Sequence, residues 1–169
     1  MRSKKSIPMQ SRVLGIDPGY GRLGIAIIEK QSNKEVLLHS ECFETSDKLP
    51  HPARLGLVAK RLEEIIKEFE PSKMSIETLL FSKNVKTAIK VAEARGVILA
   101  LAAQKNIRIR EFNPNTVKLA VTGSGRADKK QMINMIQKLL NIKHRIKHDD
   151  EYDAIALALT LSATREELF

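Results

Sequence analysis

Two short apolar runs of the sequence each end in a carboxylate, and this pattern constrains the fold more than any other feature. Asp17 follows the apolar residues 13–16, and Glu77 follows residues 74–76. A carboxylate at the end of a buried strand is costly unless a partner compensates its charge. If the two strands are parallel and adjacent, their carboxyl ends share the edge at which open α/β sheets build their sites. The pattern therefore predicts one shared acidic site.

The order of the predicted elements favours a five-stranded mixed α/β sheet. Strands at 13–16, 23–28 and 36–43 are predicted to form an antiparallel meander, with a tight Pro-Gly turn after the first. Helices and strands then alternate, which predicts two parallel strands and helices on both faces. The two later strands are predicted at 74–76 and 107–112. A helix with apolar positions at 55–66 precedes the first of them, and a long helix capped by Asn84 and running to about Lys105 lies between the two. A short helix from Asn113-Pro114, an amphipathic helix around 132–140 and a helix at about 149–163 follow.

Length and composition indicate a single globular domain. The 169 residues are 43% apolar and 29% charged, and we expect one domain over residues 13–166. Residues 1–12 are basic without the apolar core of a secretory signal, so they are predicted to be a disordered extension, with organelle targeting as the alternative. No apolar run is long enough for a membrane span. The single cysteine, Cys42, excludes an intrachain disulfide and a cysteine-based zinc site, and it favours a reducing, intracellular setting. The expected location is the cytoplasm.

The formal net charge of +9 is concentrated in one part of the chain. A bias of this kind points to a polyanion, and nucleic acid is the expected partner. Five Phe, two Tyr and no Trp make a stacking platform for single strands improbable, so contacts to a duplex backbone are expected. The basic residues of this part are Lys105, Arg108, Arg110, Lys118, Arg126, Lys129, Lys130, Lys138, Lys143, Arg145 and Lys147.

A third acidic segment opens the predicted C-terminal helix. Asp150 and Asp153 share a helix face, and so do Asp149 and Asp153, so spacing alone does not choose between Asp149 and Asp150. One of them is alternatively a helix cap. Together with Asp17 and Glu77 the segment predicts a metal site. His148 stands beside Asp149, which leaves a histidine ligand open as an alternative to a solvated side chain.

Magnesium suits a site built from carboxylates, because it is a hard ion that prefers oxygen ligands and retains water. Two ions about 3.5–4 Å apart could activate a water and stabilise the leaving oxygen of a phosphodiester. Lys118 and Lys129 lie on either side of a glycine-bearing loop, where each could neutralise phosphate charge or be ordinary surface charge. The pattern as a whole predicts a metal-dependent nuclease.

Small residues recur every fourth position on the long helix, at Ala88, Ala92, Gly96 and Ala100. Glycine inside a helix costs about 1 kcal/mol relative to alanine, so it often has a packing reason. Two interpretations remain: the stripe packs on the sheet of its own domain, or it contacts a second copy of the chain at a two-fold axis.

An ordered series of motifs resembles the bacterial RuvC-type Holliday-junction resolvases, which have a ribonuclease-H-like fold. Gly-Ile-Asp-x-Gly alone is shared with actin-like ATPases, but the whole series, from about Val13 to Thr160, is highly specific. The matching segments are Gly15-Ile16-Asp17-Pro18-Gly19, Ile76-Glu77 with Lys83-Asn84, Ala94-Arg95-Gly96, Val117-Lys118, Gly123-x-Gly125-x-Ala127-x-Lys129-x-Gln131 and Asp150-x-x-Asp153-Ala154.

The resemblance implies that Asp17, Glu77, Asp150 and Asp153 are the catalytic, metal-binding acids, which selects Asp150 over Asp149. Mg²⁺ is the implied cofactor, as two ions per site with Mn²⁺ as a substitute. The family's DNA-contacting lysines fall on Lys118 and Lys129, and we expect their neighbours Arg126 and Lys130 to contact DNA as well. The family acts as a homodimer on four-way DNA junctions in recombination and repair. It makes paired symmetric nicks with 5′-phosphate ends, and its usual partner is a branch-migration helicase.

The chain departs from the family pattern in two places. The basic extension before Val13 is unusual, and the residue expected to act at the centre of the junction differs. The family often has a phenylalanine at the position of Leu80, whereas here Phe81 follows Leu80, and either side chain could open the junction. Rival functions are a nuclease of the same fold acting on structured RNA such as precursor ribosomal RNA, an actin-like nucleotide-binding module and a non-catalytic junction binder. The short chain and the four acids argue against the last two.

Overall fold

The computed structural model describes residues 11–32, 34–78 and 85–164. Predictions that rest on Leu80, Phe81, the cap at Asn84 and residues 1–10 lie outside these ranges. The strands are β1 (Arg12–Pro18), β2 (Arg22–Gln31), β3 (Lys34–Glu44), β4 (Lys73–Glu77) and β5 (Arg108–Phe112). The helices are α1 (His51–Phe69), α2 (Val85–Gln104), α3 (Pro114–Thr122), α4 (Lys129–Leu140) and α5 (Asp149–Ala163).

The five strands form one mixed sheet in the order β3-β2-β1-β4-β5. β1, β2 and β3 pair in an antiparallel manner, while β1 pairs with β4 and β4 with β5 in a parallel manner. The meander and the parallel contact between the strands that end in Asp17 and Glu77 are therefore confirmed. Arg12, the last residue of the predicted extension, is the first residue of β1, and its guanidinium pairs with Glu29 at 2.7 Å.

Helices cover both faces of the sheet, as the ribonuclease-H-like fold requires. One face carries α3, α4 and α5 over a core that includes Val13, Ala26 and Ile155. The other face carries α1 and α2 over a core that includes Leu14 and Ile16. Alternate residues of β1 thus enter different cores, as the period of a strand dictates. α5 is apolar nearly all round because it packs against β1, β2 and other elements at once.

Local capping determines where the two helices that carry the predicted DNA-binding lysines begin and end. The Asn113 side chain accepts a hydrogen bond from the Thr116 amide at the start of α3. Asp128 and Gln131 form a capping box, which starts α4 at Lys129, earlier than apolar periodicity indicated. α3 ends at Gly123, whose φ of 78° lies in the left-handed region that glycine adopts readily.

The small-residue stripe of α2 does not pack on the sheet, so the interpretation of the stripe as a core-packing surface is wrong. Ala92, Gly96 and Ala100 are exposed, Ala88 is partly buried, and a Cβ at Gly96 would meet no atom within 4 Å. Ile98 and Ala102 supply the buried face of the helix instead.

Within the described ranges, none of the helices combines the length and the apolar character that a membrane span requires.

Candidate metal and nucleic-acid site

Three of the predicted acids come together at the carboxyl ends of the central parallel strands. Asp17 lies near the end of β1, Glu77 is the last residue of the adjacent β4, and Asp153 lies in α5. Burial, followed by the negative charges of Asp153, Glu77 and Asp150 in that order, raises the pKa of Asp17 to about 8. The Asp17 carboxyl is thus surrounded by the other acids.

The neighbouring acids show the same excess of negative charge. Burial, and then the charge of Asp153, raises the pKa of Glu77. Burial also raises the pKa of Asp153, although a hydrogen bond from Lys129 opposes the shift. Carboxyls that resist ionisation together in a partly buried site gain most from a multivalent cation, and their hard oxygen atoms are the ligands that such a cation prefers. The residues present therefore fit a divalent metal ion.

Two glycines let α5 approach the sheet closely enough to deliver its acids. A Cβ at Gly15 on β1 would overlap the carbonyl oxygen of Ala154, and a Cβ at Gly24 on β2 would overlap the carbonyl oxygen of Asp150. Any side chain at either position would push the start of α5 away from the strands. Gly24 was missed in the sequence, although glycine inside a predicted strand is itself a sign of close backbone approach.

Lys129 is the lysine that directly contacts the acidic site through hydrogen bonds and an ion pair. Its Nζ donates hydrogen bonds to both carboxylate oxygens of Asp153, at 2.7 and 2.5 Å, and lies 4.0 Å from Asp149. The position follows from the capping box, which makes Lys129 the first residue of α4. The ammonium group thus partly compensates a carboxylate that would otherwise face its acidic neighbours.

A cavity of about 210 Å³ lies beside the acids. Glu77, Asp153, Lys118 and Lys129 provide its polar side, so the structure brings both predicted lysines to the acidic site. The apolar part of its lining consists of Pro114, Val117, Met132 and Leu157. A cavity with carboxylates, two ammonium groups and an apolar wall suits a nucleotide unit, which carries a phosphate and an apolar ring surface. The remaining predicted basic residues, Arg126 and Lys130, are exposed near the start of α4.

Asp150 occupies a different position from the other three acids. Its carboxylate lies 3.6 Å from Arg22 Nε, and its side chain is 22% exposed, whereas the side chain of Asp149 is 70% exposed. Neither residue is the helix cap, because the N-cap of α5 is His148. Among the described residues, the set of potential ligands whose atoms all lie within 4.8 Å of one another is Cys42, His148 and Asp150. The four predicted acids are thus neighbours without forming an equally compact set.

Comparison with known proteins places this chain in a family. The family model of the crossover junction endodeoxyribonuclease RuvC matches residues 13–161. The protein of that name from Pseudothermotoga lettingae is 40% identical over 153 residues, which cover 90% of this chain and 94% of the relative. Its counterpart from Halothermothrix orenii is 43% identical over 147 residues, which cover 87% and 89%. The structure of T. thermophilus RuvC in complex with a Holliday junction substrate aligns with a TM-score of 0.84 at 32% identity, over 90% of this chain and 93% of that one. The chain therefore belongs to the RuvC family of crossover junction endodeoxyribonucleases.

Proposed function

We propose that this chain resolves four-way (Holliday) DNA junctions by cutting two strands of like polarity symmetrically, in homologous recombination and DNA repair. Membership of the family makes it an endodeoxyribonuclease. The observation that carries the proposal is the meeting of Glu77 and Asp153 with Lys118 and Lys129 around one cavity. Asp17 lies close enough to both acids for their charges to raise its pKa. A phosphodiester needs both charge types, since acids hold the metal and lysines neutralise the phosphate.

The metal ligands in this proposal are Asp17, Glu77, Asp150 and Asp153. RuvC nucleases use divalent metal ions, and we propose Mg²⁺ here, as two ions per site with Mn²⁺ as a substitute. When bound, the ions would lower the pKa of a water and stabilise the leaving oxygen, which gives 5′-phosphate and 3′-hydroxyl ends. Raised pKa values of three of these carboxyls support the assignment, because such carboxyls gain most from a cation.

The protein's own basic groups hold the DNA backbone in this proposal. Lys118 faces the cavity from α3, and Lys129 reaches it from the start of α4, so both ammonium groups lie beside the acids. Arg126 and Lys130 extend the positive surface on either side of Lys129. The apolar wall formed by Val117, Met132 and their neighbours would exclude water from one side of the bound nucleotide. Opening of the junction is assigned to Leu80 or Phe81.

The active unit in this proposal is a homodimer that pairs through α2. Symmetric cutting requires two sites related by a two-fold axis, and a two-fold interface presents the same patch from both subunits. Ala92, Gly96 and Ala100 form an exposed strip of small side chains, and Ile89 nearby is 54% exposed. Small side chains on an exposed helix allow a second backbone to come close. A branch-migration helicase is the proposed further partner, and the cytoplasm, where bacterial DNA lies, is the proposed location.

A cleavage assay on a mobile four-way junction tests the function. Each strand is labelled in turn, with linear duplex DNA and a structured RNA hairpin as control substrates. We expect Mg²⁺-dependent nicks at symmetric positions on two opposing strands, products that a ligase seals, and no cleavage by Asp153→Asn. Preferential cleavage of the RNA would favour the alternative nuclease, although the comparisons support a DNA junction as the substrate. Equal cleavage of linear duplex would contradict junction specificity.

A further inference from the structure

Cys42, His148 and Asp150 form a compact group of three different metal-ligand types. One ligand atom of each lies within 4.8 Å of the other two. Cys42 comes from β3, His148 is the N-cap of α5, and Asp150 lies in its first turn. All three residues are partly buried rather than freely solvated. The thiol is absent from the reaction described above, so this group calls for a separate explanation.

The sheet register explains why the thiol lies beside a catalytic acid. Asp17 pairs with Gly24 across β1 and β2, and Gly24 pairs with Cys42 across β2 and β3. Directly paired residues point to the same face of a sheet, so Asp17 and Cys42 flank Gly24 on one face. The backbone of Asp150 lies directly over Gly24. Asp150 therefore sits between the acidic site on one side and Cys42 on the other.

A cationic group already lies between two of the three side chains. The Arg22 guanidinium is 3.3 Å from His148 Nδ1 through one nitrogen and 3.6 Å from Asp150 through another. The opposite ring nitrogen, His148 Nε2, lies 3.7 Å from Glu44. A carboxylate behind a histidine is the usual support of a metal-binding imidazole, because it orients the ring and raises its basicity. Arg22 is half exposed, so its side chain has room to move out.

We propose that Cys42, His148 and Asp150 bind a thiophilic divalent transition-metal ion, with Zn²⁺ as the natural candidate, and that its binding inhibits the nuclease. A thiolate, an imidazole and a carboxylate form a ligand set typical of zinc, with one further position for water. Mg²⁺ has no preference for sulfur and does not compete for the thiol. On binding, the thiol proton passes to solvent. This proposal replaces the expectation that a chain with one cysteine has no cysteine-based zinc site, because a single thiolate can share the ion with an imidazole and a carboxylate.

Inhibition follows from the sharing of Asp150. A carboxylate that is held by an ion beside Cys42 is drawn away from Asp17 and its neighbours on the other side of Gly24. This half of the proposal rests on the proposed function, whereas metal binding itself does not. The two halves are tested separately, one by spectroscopy without DNA and the other by cleavage.

Co²⁺ serves as the spectroscopic probe of the site. The full-length protein, freed of metal and reduced, is titrated with Co²⁺, and the near-ultraviolet band of a cysteine–cobalt bond is recorded. We expect one equivalent of the band in wild type, its removal by Zn²⁺ and its loss in Cys42→Ala. We expect His148→Ala to weaken Co²⁺ binding at least about tenfold, the scale of disturbing a metal ligand's surroundings. His144→Ala, which changes an exposed histidine of the preceding loop, is the matched control and should retain the band.

The outcomes separate the proposal from its alternatives. A band that survives at full strength in His148→Ala, or is absent from wild type, overturns the site. Thermal unfolding of metal-free Cys42→Ala verifies that the variant is folded. In saturating Mg²⁺, micromolar Zn²⁺ should inhibit junction cleavage by wild type at least about tenfold more strongly than by Cys42→Ala. Equal inhibition of both overturns the inhibitory half. A wild type that shows the band but never cleaves junctions contradicts the proposed function and leaves the site supported.

Discussion

The carbonyl oxygen of Asp150 occupies the space into which a side chain at Gly24 would project. This contact fixes how near the start of α5 comes to β2, and with it the position of two acids. Asp150 and Asp153 are separated by less than one helical turn, so a shift at the first moves the second as well. Gly24 thus acts on the site through backbone distance, without contributing any side chain.

Gly24→Ala is expected to lower junction cleavage about 100-fold, the scale of a misplacement of about 1 Å at a reacting centre. Overpacking should also lower the free energy of unfolding by about 1–3 kcal/mol. Gly56→Ala is the matched control, because Gly56 is exposed in α1 and its added Cβ meets no atom within 4 Å. That control should be stabilising by about 0.5–1 kcal/mol. Normal kcat in Gly24→Ala would show that α5 accommodates the methyl group.

Asp150→Asn is expected to reduce cleavage about 100-fold or more, because several kcal/mol of transition-state stabilisation would be lost. Junction affinity should remain, since it depends mainly on phosphate contacts. Asp149→Asn is the matched variant one residue away, and it should change activity by about twofold at most, as expected of an exposed side chain. Single-turnover cleavage and band-shift titrations measure both effects. An inactive Asp149→Asn with an active Asp150→Asn would reverse the assignment.

Lys118→Ala and Lys129→Ala should each weaken junction binding and reduce the slope of log affinity against log salt by about one charge. Both side chains line the cavity beside Glu77, where a scissile phosphate would lie. Lys67→Ala removes an exposed lysine from the last turn of α1 and is the control for lost net charge. Fluorescence anisotropy over a series of salt concentrations reports the slopes. If all three variants have the same slope, the two lysines do not contact phosphate.

Gly96→Leu should separate the proposed dimer and uncouple the paired nicks. The residue lies on the exposed strip of α2 and has open space around it, so the monomer should fold normally. Gly56→Leu places the same side chain at an equally open helical position on α1 and should leave the assembly intact. Sedimentation velocity gives the mass of each variant, and circular dichroism verifies the fold. An intact Gly96→Leu dimer would exclude this helix from the interface.

Asp17→Asn should stabilise the metal-free protein increasingly as pH rises. Burial and nearby acids raise the pKa of Asp17 to about 8 in the folded state, from an ordinary value of 3.8. The folded state therefore binds this proton more tightly than the unfolded chain, and wild type loses stability as pH rises between about 4 and 8. Melting temperatures with a chelator at pH 5 and pH 8 measure the effect, which should be larger at pH 8. An equal difference at both pH values would contradict the raised pKa.

The strand ends could be predicted from sequence because burial and charge conflict locally at Asp17 and Glu77. The charge of a carboxylate after a buried apolar run must be compensated, and few arrangements achieve this. One of them places two such carboxylates side by side at the carboxyl ends of adjacent parallel strands, where they can share a site. The start of α4 was missed, although the spacing of Asp128 and Gln131 matches a capping box. Apolar periodicity begins only at the buried face, so it does not reveal a polar first turn.

The environment of Asp150 could not be predicted, because it depends on distances between segments. Gly24, Cys42 and Asp150 are far apart in sequence and meet only through strand register and the packing of α5. The stripe at Gly96 was ambiguous for a related reason. α2 has small or apolar residues on both its buried and its exposed faces, so composition does not show which face the sheet covers.

The dependence of the site on α5 also has a consequence during protein synthesis. β1, β4, α3 and α4 all precede α5, yet α5 supplies Asp150 and Asp153. A nascent or truncated chain that ends before residue 149 carries basic residues for holding DNA but only half of the proposed acids. Such a chain also lacks the helix against which α3 and α4 pack, so the lysines on those helices would not be held beside the acids. Cleavage is therefore expected to begin only after the ribosome has released enough chain for α5 to dock over Gly15 and Gly24.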